Sequence, residues 1–283
     1  MQVYWGLHPL SYNEKIDIVC IGKTNLDIFY YYNKFHINNN NISKNFVISP
    51  GGKATNVAVN LAKLDLKVRL ISCIGNDIFG NYVKTHLEKI LYFTPKIVNT
   101  TTAVTSIVVD KMGNNTMFHN IGANKLLSED YIPEKIEISF IQTGIPKKVL
   151  TTALKNSKVA FVELSEPAQF NDVKNFKPEI ISLNLQEIER LFEGSLNKKI
   201  DKLLNYTNKL LLKMGKDGIL YATRKKIIKK EAKKVKVINT TGAGDAVSAA
   251  FLYGYIKMWN IERILDFSLE FAAKKIQSPI STI

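Results

Sequence analysis

Four short apolar runs, EISFIQTG (137–144), KVAFVEL (158–164), PEIISLN (178–184) and NKLLLKMG (208–215), are separated by helix-length segments near 147–156, 168–175, 185–193 and 196–206. Each run is nearly continuous in Ile, Val, Leu and Phe, the pattern of a strand buried on both faces. Strands alternating with helices close into a parallel sheet with helices on both faces, because each parallel crossover must return over the sheet. The same grammar holds earlier, with strands at KIDIVCIG (15–22) and KVRLISCIG (67–75) and helices at KATNVAVNLAKL (53–64) and IFGNYVKTHLEKI (78–90). The expectation is an α/β fold whose ligands lie at the carboxyl ends of the strands.

Two regions break that rhythm. LDIFYYYNKFHI (26–37) and ISKNFVIS (42–49) flank an NNNN spacer, and TAVTSIVVD and NTMFHN flank the turn MGNN. These alternating runs predict a second, small sheet, a lid built from about 27–49 and 96–119. Residues 224–236, RKKIIKKEAKKVK, predict a hairpin with a solvated lysine face, followed by a strand at KVKVIN (234–239).

Composition narrows the class. A chain of 283 residues, 46% hydrophobic and 23% charged, can bury a full core without staples. Cys20 and Cys73 lie inside apolar runs and read as free buried thiols in a reducing compartment. No apolar stretch reaches the ~18–20 residues of a membrane helix, and the start MQVYWGLHPLSYNEK lacks the pattern of a secretory signal. The expectation is a cytoplasmic protein in which residues 1–15 extend ahead of a domain spanning 16–283. The formal charge of +14 would attract polyanions, ATP included. No aromatic residues interleave with the lysine run, so nucleic acid is not the expected partner, and a non-catalytic protein binding nucleic acid through this basic surface is the second alternative. His8, His36, His86 and His119 have no metal-ligand spacing.

Chemistry concentrates at two glycine-rich junctions. In NTTGAGDAVSAAF (239–251) a helix begins near Ala243, and Gly242 and Gly244 let a ligand approach the bare amides of its first turn. Asp245 is then either a first-turn helix acid or a catalytic group. In SPGGKATNVAVNLAKL (49–64), Gly51 and Gly52 lead into a helix that presents Lys53 and Asn56. A third candidate, IGKT (21–24), imitates the end of a P-loop but has Asp17 where that motif needs glycine, and a strand follows it.

Together these stretches resemble the ribokinase-like (PfkB) family of carbohydrate and nucleoside kinases, from about residue 16 to near the C-terminus. GGKATNVAVNLAKL resembles the first family signature and NTTGAGDAVSAAF the second. CIGNDIFG (73–80), NLQE (184–187) and MGKDG (214–218) resemble three intervening motifs. The resemblance implies a ribokinase-like fold: a central, mostly parallel sheet with helices on both faces and a small β-sheet lid through which two copies pair.

It also implies phosphoryl transfer from ATP to an alcohol, with Asp245 as base and the amides of Gly242, Ala243 and Gly244 as anion hole. The acceptor, a small sugar or related polyol, or alternatively a nucleoside, would be held by Asn25, Asp27, Gly51, Gly52, Lys53 and Asn56. ATP would be held by Asn184, Glu187, Lys213, Gly215, Gly218 and Thr240. Glu187 would act through water on Mg2+, although Asn184 and Glu187 at i, i+3 also fit a helix cap. Asn239 stands where many family members carry Asp at a monovalent-cation loop, which makes K+ a candidate cofactor. Lys213 stands where Thr commonly contacts phosphate, and the chain stops soon after FAAKKIQSPISTI, which predicts a more open nucleotide-base site.

Overall fold

The computed structural model describes residues 15–36 and 38–282, so most of the 1–15 extension lies outside the described residues. The strands are β1 (Ile18–Ile21), β2 (Asn25–Tyr31), β3 (Asn45–Gly51), β4 (Val68–Ile71), β5 (Cys73–Gly75), β6 (Tyr92–Phe93), β7 (Lys96–Val98), β8 (Ala103–Val109), β9 (Asn115–Asn120), β10 (Ile136–Gln142), β11 (Ser157–Glu163), β12 (Ile180–Asn184), β13 (Lys209–Lys213), β14 (Ile219–Ala222) and β15 (Ile227–Lys230). The helices are α1 (Lys53–Ala62), α2 (Ile78–Leu87), α3 (Lys147–Asn156), α4 (Phe170–Val173), α5 (Leu185–Leu191), α6 (Leu196–Leu203), α7 (Ala243–Ile256) and α8 (Ile261–Lys275).

The main sheet runs β15-β14-β13-β12-β11-β10-β1-β4-β6. From β6 to β13 every pairing is parallel, and β14 and β15 add an antiparallel edge. Neighbouring strand residues point to opposite faces, which splits the core in two. Phe140, Phe161, Ile180 and Leu211 pack with α1, α7 and α8, while Ile141, Val162, Ile181 and Leu212 pack with α3, α5 and α6. The alanine stripe of α1 is explained here, since Ala54 and Ala58 are fully buried where that helix packs on the sheet. Cys20 and Cys73 are buried free thiols, and burial pushes both above the ordinary thiol range.

The lid is a four-stranded sheet, β3-β2-β8-β9. Its two faces differ. Asp27, Ser49, Thr105 and His119 stand opposite one another across it, and Phe29, Val47, Ile107 and Met117 continue that inner face. The other face carries Phe46, Ile48 and Phe118, which are 59%, 36% and 57% exposed.

Five expectations need correction. Lys96–Val98 does not join the lid but pairs with Cys73–Gly75 in a two-stranded sheet of its own. The 67–75 run is two strands interrupted at Ser72, whose hydroxyl accepts from Thr24 Oγ1 at 2.6 Å. KVKVIN is not a strand: the amides of Ile238 and Asn239 donate to Ile276 O at the end of α8 rather than to a sheet neighbour. The antiparallel partner of Ile227–Lys230 is β14, so the predicted 224–236 hairpin is displaced toward the N-terminus. Its lysines are not simply solvated. Lys226 and Lys230 pair with Glu262, Lys230 also with Asp266, and Lys233 with Glu270, a row of carboxylates along one side of α8.

Phe161 lies at the centre of the larger core, 1% exposed, its ring centroid 5.7 Å from Phe140 and 6.1 Å from Phe251. Phe161→Ala should therefore cost about 3–5 kcal/mol of stability. Urea unfolding would measure this; a loss below about 1 kcal/mol would contradict the packing described.

Candidate active site

Two cavities open at the carboxyl ends of the parallel strands, and both are bounded by Lys53 and Gly244. The larger, of ≈ 420 Å³, lies under the lid; the smaller, of ≈ 280 Å³, lies between the 215–218 turn, α7 and α8. Asp245 borders the larger one close to where they meet.

The larger cavity gathers Asn25, Asp27, Gly52, Lys53 and Asn56. Gly51 is needed behind them, because a Cβ there would lie 1.9 Å from Asp27 Oδ2. Gly52 adopts φ +95° as the chain turns from β3 into α1. Asn25 is fixed from two sides: it donates to Thr105 Oγ1 at 3.1 Å and accepts from Asn124 Nδ2 at 2.8 Å. Asp27 is buried and its Oδ2 accepts from the Ser281 hydroxyl at 3.1 Å. Burial raises the Asp27 carboxyl to about 7 despite the Ser281 and Thr105 hydroxyls that favour its charged form, and Asp245 adds to the rise.

Lys23, Thr105, His119, Asn124, Gln142 and Thr241 also border this cavity, and sequence reading passed over them. Gln142 could have been found, since it ends a parallel strand; its Oε1 accepts from the amides of Lys23 and Ala54, both at 3.1 Å, joining the end of β1 to the start of α1. Thr105 and His119 had no local signal, because β2–β8–β9 pairing alone brings them beside Asp27.

Asn184, Lys213, Gly215, Gly218, Ala243 and Gly244 border the smaller cavity, whose far wall is Ile219, Val247, Leu269, Ala272 and Ala273. An apolar wall of this kind can take a flat heterocycle. Gly215 (φ +60°) has open space where a Cβ would stand. Asn184 and Glu187 form a capping box: Asn184 Oδ1 accepts from the Glu187 amide at 2.9 Å, and Glu187 Oε2 accepts from the Asn184 amide at 2.7 Å. The helix-cap reading of this pair therefore holds, with Glu187 Oε1 outside the box. Thr240 lies outside both cavity linings. Its hydroxyl donates to Gly113 O at 3.1 Å, tying the β8–β9 turn of the lid to the loop before α7.

That loop differs in one respect from the expected anion hole. The Ala243 amide donates back to Thr240 O at 3.1 Å, and the first helical bond runs from the Ala246 amide to Gly242 O. The amides of Gly242, Gly244 and Asp245 are left without a protein partner among the described residues. Gly242 adopts φ +80°, and a Cβ on it would strike Ser281 O at 2.1 Å.

Between the cavities lies a buried charge cluster. Asn56 Nδ2 donates to Asp245 Oδ2 at 2.7 Å, which fixes the carboxylate, and Asn56 Oδ1 is buried without a partner among the described residues. Lys213 ion-pairs with Glu163 and also donates to Ser248 Oγ at 3.3 Å. Ser248 donates to the second Glu163 oxygen at 2.9 Å. Burial alone would discharge Lys53, yet Asp245, Glu163 and Glu187 together outweigh it and hold the ammonium above the usual lysine range. Burial likewise opposes the charge of Glu163, but Lys213 and Lys53 hold this carboxyl below its ordinary value. Glu187 goes the other way, raised by burial against the pull of Lys53. Glu163 ends a parallel strand and was legible on that ground; its pairing with Lys213 was not.

Asn239 does not present an open cation loop. Its carbonyl accepts from Lys275 Nζ at 2.9 Å, its Nδ2 donates to Pro279 O at 2.9 Å, and its Oδ1 accepts from the Thr241 amide at 2.9 Å. Lys275 is wholly buried. Burial lowers its ammonium to about 8, a fall that Asp245 opposes, so it remains largely protonated at neutral pH. The residues present do not fit a K+ ion at this loop.

Comparison with known proteins agrees with this architecture. The description of the pfkB family carbohydrate kinases matches residues 15–283. A nucleoside kinase of Methanocaldococcus jannaschii is 32% identical over 267 residues, covering 87% of this chain and 85% of that protein. A deoxyribokinase of Salmonella typhi is 27% identical over 91% and 92% of the two chains. Among solved structures, a ribokinase from Thermotoga maritima superposes with a TM-score of 0.83 at 25% identity, covering 94% of this chain and 95% of the other. The main sheet and the small separate sheet thus have the arrangement of a known group, and this chain belongs to the pfkB family of carbohydrate kinases.

Proposed function

We propose that this kinase transfers the γ-phosphoryl group of ATP to a hydroxymethyl group of a small sugar or related polyol, with Asp245 as the base. One observation carries the reading: the two cavities meet at Lys53 and Gly244, beside a carboxylate fixed by Asn56. A donor in the smaller cavity and an alcohol in the larger would face each other across that point.

The residues then divide the work. Asp27 and Asn25 accept and donate to hydroxyls of the acceptor, since each hydroxyl needs both. Asp245 takes the proton of the attacking hydroxyl as its oxygen bonds to the γ-phosphorus and the bond to the β-phosphate oxygen breaks, releasing ADP. The amides of Gly242, Gly244 and Asp245, aligned with the positive end of α7, stabilise charge on the equatorial oxygens. Ala243 is excluded from that role by its bond to Thr240. Lys53 bridges the two halves and screens Asp245 from the incoming phosphates. Mg2+, when it arrives with ATP, would neutralise phosphate charge, and the Glu187 carboxylate is the group to orient its water. Lys213 lines the donor cavity, but its charge is committed to Glu163, so its contribution to phosphate binding is secondary.

A nucleoside acceptor is the alternative, favoured by Ile107, Met117 and Ile121 on one wall of the acceptor cavity, where a base could lie. The similarity to an archaeal nucleoside kinase points the same way. Dimerisation through the lid is supported by Phe46, Ile48 and Phe118 sharing one exposed face. Pairing would cover them together with the sheet edges.

ATP consumption with Mg2+ across sugars, sugar acids, polyols and nucleosides should give an acceptor-dependent signal. Asp245→Asn should lower kcat by about 10²–10⁴-fold with little change in KM. Turnover retained within tenfold would remove Asp245 as base, and a nucleoside far outrunning every sugar would select the alternative acceptor.

Asp27 gives a signed pH prediction. Its carboxyl is raised in the folded state, so the native protein holds a proton that the unfolded chain releases, and stability falls as pH rises from about 4 to about 7. Asp27→Asn removes that penalty. Without ligand it should be equal to wild type below about pH 4 and more stable by on the order of 2–4 kcal/mol above pH 7; thermal melts at both ends decide. For the lid, Ile48→Asp with Phe118→Asp should convert a sedimenting dimer to a monomer, and a wild-type monomer would refute pairing.

A further inference from the structure

Lys275 is among the largest side chains with no exposed surface, and it takes no part in the chemistry proposed above. An ammonium withdrawn wholly from water is costly unless it does electrostatic work where it sits. Its one hydrogen-bond acceptor among the described residues is Asn239 O, at 2.9 Å. The backbone of Asn239 opens the 239–244 loop, and that loop supplies the free amides at the start of α7.

The surroundings of this contact form a joint. The amides of Ile238 and Asn239 both donate to Ile276 O, at 2.8 and 3.1 Å. Asn239 Nδ2 donates to Pro279 O, and Asn239 Oδ1 accepts from the Thr241 amide. The donors of Ile238, Asn239 and Thr241 are thus matched to carbonyls, whereas the Asn239 carbonyl has only the Lys275 ammonium among the described residues. A small cation is the natural partner for such a carbonyl, and an ammonium is close in size and charge to K+. The charge also lies within electrostatic reach of Asp245, whose negative charge favours the protonated lysine.

We propose that Lys275 is a covalently tethered monovalent cation, which holds the anion-hole loop in place so that the protein works without K+. The side chain is a positioning residue: it acts on the loop and touches neither substrate. The proposal rests on the kinase reading only for its activity arm, and two other arms do not need it.

In the first arm, wild-type thermal stability and turnover are compared in choline, Na+, K+ and NH4+ chlorides at constant ionic strength. Both should be flat, with rates within about twofold; a fivefold or greater activation by K+, or a K+-specific rise in melting temperature, would overturn the proposal. In the second, crystals of wild type and Lys275→Ala are soaked in a thallium(I) salt and the anomalous signal is read beside Asn239 O. A peak in Lys275→Ala alone is expected, because truncation vacates the ammonium's place. A peak in wild type, or in neither protein, would overturn it. In the third, Lys275→Ala should lose at least tenfold in turnover and regain most of it with K+ or NH4+ but not with choline. Lys275→Met, which keeps bulk without charge, should lose activity and not be rescued; full activity of Lys275→Met in choline would refute the role of the charge. If no acceptor is ever phosphorylated, the kinase reading fails while the thallium and melting arms still decide the cation.

Discussion

The structure turns on a set of charges largely withdrawn from water at the junction of the two cavities. Lys53 stands among Asp245, Glu163 and Glu187, and Lys213 is paired to Glu163 under the Ser248 hydroxyl. Removing any one partner would leave an uncompensated buried charge, a far larger penalty than a lost surface pair. The cluster can exist only because strands β11, β12 and β13 end side by side, with Glu163 opposite Ser182 and Asn184 opposite Lys213. Lys53 and Asp245 then enter from the first turns of α1 and α7, the two helices that pack against each other beneath the site. Fold and chemistry are therefore one problem: the hydrophobic sheet is what holds ionic groups at fixed distances.

The lid adds a second division of labour. Period-two alternation puts Asp27, Thr105 and His119 over the larger cavity and Phe46, Ile48 and Phe118 on the far side. A one-residue slip in β2–β8 pairing would exchange the two sets and destroy the pocket. Residues 278–282 then close the remaining gap between lid and α7, with Ser281 bonded to Asp27 and its carbonyl in the space that Gly242 leaves empty.

Much of this was legible in the sequence where the signal is local. Apolar runs gave the parallel strands, because residues buried on both faces have no polar alternation. Gly51-Gly52 and Gly242-Ala243-Gly244 marked the helix starts, because only such residues allow φ +95° and φ +80° there. What escaped was set by distant partners. Val235 and Val237 suggested a strand, but neighbouring lysines find the carboxylates of α8 and the Ile276 carbonyl captures the loop amides. The Ala243 amide looked available until Thr240 O claimed it. Lys275 carries no local signal of its role; only the packing of 239–241 against the tail of α8 makes it a buried cation.

The contact between Ser281 and Asp27 joins residues 254 positions apart, and that between Asn56 and Asp245 spans 189. Such closures come late, since the ordering entropy of the intervening chain must be met before they form. During synthesis the lid strands and most of the sheet emerge long before α7 and the 278–282 segment. A growing chain can therefore bury much of its hydrophobic core while Asp27 still lacks its hydroxyl partner and Asp245 has not yet been made. Folding order separates the scaffold from its candidate site: a nearly complete sheet leaves the two cavities unfinished until α7 and the 278–282 segment have joined it.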